Sequence, residues 1–125
     1  MPAISMIIIQ FRNRRTGLRR TFQIAEILPD ASANVLMQYD PKRDIMSQRG
    51  KSKSLFKTLE MFTGNTPTEI NHDIAEKERV LNYLVKQQIR NINEVGSVMA
   101  EYYTNKDNLM RYVSSNKPFF AKKQE

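Results

Sequence analysis

The hydrophobic period of this chain changes once, near Ser52, and that change limits the folds open to it. Before Ser52, apolar and β-branched residues run together or alternate, as strands require. After it they recur every three or four residues, as on one face of a helix. Strands first and helices second point to an α+β chain, because parallel βαβ units would interleave the two periods.

The strand-like part reads as two hairpins. Ile4 to Arg12 is rich in β-branched isoleucine and is expected to be a strand buried, at least in part, on both faces. Thr16-Gly17 turns the chain, and Arg20 to Leu28 returns with Phe22, Ile24 and Ala25-Ile27 as apolar positions. Pro29 to Ser32 is a loop and Asn34 to Tyr39 a third strand. Asp40-Pro41-Lys42-Arg43-Asp44 is a turn, because Pro cannot donate to a ladder. Ile45 to Arg49 is a short fourth strand.

Four helices are expected to follow. From Ser52, which is placed to cap the first, Leu55, Phe56, Leu59 and Phe62 mark a face, and Gly64 is a stop signal. Thr66-Pro67-Thr68-Glu69 is the strongest start in the chain: a capping Thr, a preorganised Pro and a Glu three residues on. The apolar stripe behind it is Ile70, Ile74, Leu81, Leu84, Val85 and Ile89, to about Gln88. Asn91 caps a third helix with Val95, Val98, Met99, Tyr102 and Tyr103 inward. Asn105 caps a fourth, carrying Leu109, Met110 and Val113. The residues after Ser114 read as a frayed, basic tail.

The 125 residues suit one compact domain or part of a larger one. No cysteine is present, which excludes disulfides and thiolate chemistry. No apolar run approaches the ~18 residues of a membrane span. The apolar start has no cationic region before it and is not read as a signal peptide; a strand so near the first residue is the expectation for an excised piece. Net charge is +7 and is unevenly placed, with eleven basic and five acidic residues through Gly64 against nine and eight after it. Such a basic first half can meet an anionic partner.

Gly50-Lys51-Ser52 ends like a phosphate-binding loop, but that loop needs a glycine where Ile45 stands. The stretch is read as a turn. Arg12, Arg14, Arg15, Arg19 and Arg20 crowd one hairpin, either as an interface or anion patch or as a charged tip that discourages edge pairing. His72 has no second ligand at metal spacing, and Glu69, Asp73 and Glu76 are acids favoured near a helix N-terminus. The one histidine points to no Ser-His-Asp set, and no catalytic, cofactor or metal residue is assigned. The tyrosines and methionines on helical stretches read as packing.

The order PAISMIIIQ, FRNRRTGLRRTFQIAEIL, QYDPKRD, SLFKTLEMFTG, then TPTEINHDIAEKERVLNYLVKQQIRNINEVGSVMAEYY and DNLMRYV resembles the C-terminal end of the archaeal secretion ATPases. These form the archaeal branch of the type II secretion and type IV pilus superfamily that also powers the archaellum. Gln10, Arg19, Arg20, Glu26, Asp40, Pro41, Gly64, Glu69, Ile70, Arg79, Glu94, Val95, Tyr102 and Tyr103 are among the matching positions; Tyr39 stands where the family carries Trp, and Phe11 interrupts its usual polar stretch.

The resemblance implies a cytoplasmic hexameric motor, peripheral to the inner membrane face, that binds ATP and Mg²⁺ and drives pilin-like filaments or export. Its nucleotide motifs lie upstream of the matching region, so this chain alone is expected to be inactive. Residues 1–51 would complete a RecA-like core, 52–115 would form a helical subdomain and 116–125 a flexible tail. The implied partners are the rest of the ATPase, neighbouring subunits of the homo-hexamer and the membrane platform protein. Nucleic acid is not an expected partner. The rival reading is a free-standing basic module that binds nucleic acid or serves as an adaptor.

Overall fold

The computed structural model describes residues 3–121. The chain is α+β: a four-stranded antiparallel sheet followed by four helices. It divides into two compact units, one reaching Ile70 and one beginning at Asn71. The division falls one helix later than the boundary expected at 51/52, because the first helix is tied to the sheet by the hydrogen bonds of Glu26.

In the first unit, β1 (Met6–Arg12), β2 (Arg19–Ile27), β3 (Ala33–Asp40) and β4 (Ile45–Gln48) lie side by side in chain order. The β1–β2 turn is closed by Asn13, whose Oδ1 accepts from the amides of Arg15 and Thr16, and by Gly17 at φ 75°. Asp40 does the same for the next hairpin, accepting from the amides of Lys42 and Arg43. Register shifts occur between Ile9 and Gln10 in the β1–β2 ladder and between Ile24 and Ala25 in the β2–β3 ladder. Past β4 the chain continues close beside β3: a Cβ on Gly50 would stand 2.6 Å from the carbonyl oxygen of Val35, so only glycine fits there.

The expectation that β1 is buried on both faces fails. Its isoleucines are 39–50% exposed, because β1 is an edge strand and no layer of the sheet unit covers it among the described residues. The apolar run has the composition of a buried strand without the cover. α1 (Leu55–Thr63) ends at Gly64 in the left-handed conformation, as expected. It begins three residues after Ser52, and its face is not buried: Phe62 lies largely in solvent.

α2 (Pro67–Lys86) starts as its sequence dictates, with the Thr66 hydroxyl accepting from the amide of Glu69. α3 (Ile92–Thr104) is capped by Asn91, and α4 (Lys106–Ser115) follows after Asn105. In the second unit Val80, Leu84, Val98, Tyr102 and Leu109 form a closed core, with Val95, Met99, Met110 and Val113 against it. Four expected core positions are outside. Ile74, Leu81 and Val85 on α2 are 47%, 56% and 75% exposed, because Val80, Tyr83 and Leu84 form the buried face of that helix, and Tyr103 on α3 is 74% exposed. The expected fraying after Ser114 does not hold through Phe120. Phe119 and Phe120 pack on the core, and the Tyr83 hydroxyl donates to the carbonyl of Lys117 at 2.6 Å. Residues 122–125 of the expected tail lie outside the described residues.

Candidate functional site

The strongest chemical feature of the sheet unit is Glu26, a fully buried carboxylate near the end of β2. The amides of Lys53 and Leu55 donate to it, the latter at 2.9 Å, and that of Ser54 lies at 3.3 Å. Asn34 Nδ2 and Ser52 Oγ each donate at 2.8 Å. The Ser52 hydroxyl in turn accepts from the amide of Phe56. Burial pushes the carboxyl pKa up, but the Lys53 amide, Asn34, the Leu55 amide and Ser52 together outweigh it and hold the pKa at about 2.

This arrangement decides the meaning of Gly50-Lys51-Ser52. In a phosphate loop, amides at the start of a helix would face the ligand. Here the amides that open α1 face Glu26. The expectation that Ser52 caps the next helix holds in part, with Glu26 supplying the rest from a distant strand. The motif match failed on its missing glycine; the carboxylate that fills the cradle lay in another element, and spacing could not connect the two.

The five arginines separate into one and four. Arg20 forms a two-pronged pair with Asp44, Nε to Oδ1 at 2.8 Å and Nη2 to Oδ2 at 3.1 Å. The Tyr39 hydroxyl also donates to Asp44, at 2.7 Å. The hydrogen bond from Arg20, and then that from Tyr39, lower the Asp44 pKa to about 2. Phe11 meets Phe22 edge to face and Tyr39 at a tilt. Arg20 is therefore a brace between the hairpins. Arg12, Arg14, Arg15 and Arg19 remain exposed at the turn end, with Arg12 and Arg19 directly opposite in the ladder. None of these four is ion-paired among the described residues.

An open depression between the β2–β3 loop and α1 is lined by Leu28, Asp30, Lys53, Lys57 and Met61. It holds no converging set of catalytic groups. In the helical unit, Glu76 accepts from Lys106 Nζ at 2.9 Å and from the Tyr102 hydroxyl at 3.0 Å. Lys106, and then Tyr102, keep the Glu76 carboxyl below its ordinary range against the opposing effect of burial. This contact clasps α4 to α2. His72 is exposed, and no cluster of metal-ligating side chains occurs among the described residues. No helix among them is long and apolar enough to cross a membrane.

No family model matches the chain. It is similar to the "Uncharacterized protein MJ0781" of the archaeon Methanocaldococcus jannaschii, 28% identical over 121 residues. The match takes in 90% of this chain but only 17% of that protein, so the chain spans a small fraction of its relative's length.

Proposed function

We propose that this chain is the C-terminal portion of a secretion or pilus-assembly ATPase, a part that extends the motor sheet and carries contacts but holds no fuel. The observation that carries the reading is β1, an isoleucine-rich strand at the open margin of the sheet. Such a margin is a hazard for a free-standing protein and a joint for a larger one. The ordered run of sequence features supports the family, and the much longer archaeal relative supports a larger parent. In the parent, ATP and Mg²⁺ would bind in segments upstream of this one. The assembly would be a hexamer working against a platform protein, peripheral at the inner face of the membrane.

The local cradle does not serve nucleotide in this reading, because Glu26 already occupies it. The purified chain with Mg-ATP should release no phosphate above background, and measurable turnover would overturn the inactivity. The positive test is complementation. An archaeal secretion ATPase deprived of its C-terminal segment should regain hydrolysis when this chain is joined in its place. An unrestored rate, with the hybrid folded, would sink the assignment. The rival nucleic-acid module requires a gel shift that weakens steeply with salt.

A further inference from the structure

We propose that the outer margin of β1 receives an extended segment, apolar at alternate positions and bearing carboxylates at the end that lies beside Arg12. Natural edge strands are defended by charge, by proline or by extreme shortness. From Met6 to Phe11, β1 carries no charge and no proline, and Ile7, Ile8 and Ile9 are substantially exposed. On its far side the backbone groups of alternate residues have no strand beside them among the described residues.

The charge at one end of β1 identifies the occupant. Arg12 faces Arg19 across the ladder, and like charges in that position repel. Arg14 and Arg15 add two more guanidinium groups in the adjoining turn. The neighbouring Arg20 shows how the strain is relieved when a carboxylate is at hand, through its paired bonds to Asp44. An incoming strand with acids at this end would do the same for the other four while its remaining length pairs with β1. A second copy docking through its own β1 brings no carboxylate, because that strand is MIIIQFR. Nucleic acid fits less well: Phe11, the aromatic residue nearest Arg12 in β1, is already engaged edge to face with Phe22 and at a tilt with Tyr39. The inference rests on the reading above in one respect, that the segment belongs to the longer protein.

The test uses the whole chain and synthetic peptides of alternating Val and Thr. One carries a pair of Glu at its N-terminus, for antiparallel pairing, and a second carries them at its C-terminus, for parallel pairing. Each has a counterpart with Lys in place of Glu. One Glu peptide should bind about tenfold more tightly than its Lys counterpart and slow amide exchange along β1. The winning end reports the strand direction. The double variant Arg12→Glu, Arg19→Glu, checked for an unchanged circular dichroism spectrum, leaves two Glu beside Arg14 and Arg15 and should abolish the preference. Equal affinity for Glu and Lys peptides, or no binding by any of them, would overturn the proposal. So would a concentration-dependent dimer that protects β1 without peptide. Because these outcomes involve no nucleotide, a failure here is distinct from a failure of complementation.

Discussion

The two units bury their apolar residues to different degrees. The helical unit has a closed core in which Val80, Val98 and Leu109 are almost wholly shielded. The sheet unit leaves the isoleucines of β1, together with Met61 and Phe62 of α1, in solvent, and encloses a glutamate instead. The helical unit encloses a core of its own, although Leu81, Val85, Ile92 and Tyr103 lie largely in solvent. The sheet unit is organised by hydrogen bonds to Glu26 and by the Arg20–Asp44–Tyr39 brace, with its hydrophobic surface left open. A unit of the second kind gains its stability when something else covers it.

The largest effect should come from emptying the closed core. Leu109→Ala should cost about 2–5 kcal/mol, read as a fall in the denaturant midpoint and loss of amide protection in α3 and α4. A loss below about 1 kcal/mol would mean that the helical core is looser than its burial implies. Glu26→Ala comes next, at about 3 kcal/mol, because it strands the amides that open α1. Its signature is faster exchange in β2 and α1. If α2 to α4 lost protection equally, the contrast between the units would break.

The pH dependence sharpens the same point. Unfolded, the Glu26 carboxyl protonates near its ordinary 4.5; folded, it stays ionised down to about 2. Its stabilisation is therefore complete above pH 4.5 and is lost as pH falls to about 2. Thermal melts across that window should steepen for the native chain and flatten for Glu26→Gln. A profile unchanged by that substitution would contradict the assignment. Arg20→Ala should lower the denaturant midpoint less than Glu26→Ala does, since the pair is partly exposed. Ile8→Thr should change stability least, by under about 0.5 kcal/mol, because half of that residue is already in solvent. A large loss there would show that β1 is covered in solution.

Much of the fold was legible along the chain. The α+β class, the two hairpins, the left-handed stop at Gly64 and the caps at Thr66 and Asn91 depend on local geometry, and each appears where its residues place it. The candidate site was legible only in outline. The arginine cluster could be seen, but its division into a brace and four exposed groups required Asp44, twenty-four residues from Arg20. Glu26 carried no signal as a cap, because its helix begins twenty-nine residues later. Burial was misjudged in β1 and on α2, where apolar residues occupy more than one face and periodicity cannot say which face meets a neighbour.

From residue order alone came the period change near Ser52, the turns and caps, the absence of thiol chemistry and the basic bias of the first half. These follow from torsional preference and from hydrogen bonds within a few residues. The spatial arrangement decided that a carboxylate takes the Ser52 hydroxyl and the amides just after it, that β1 stands uncovered and that the aromatic residues near the C-terminus pack on the helical core. Those outcomes depend on groups far apart in the chain competing for the same space and the same donors. Local pattern contains neither distance nor competition.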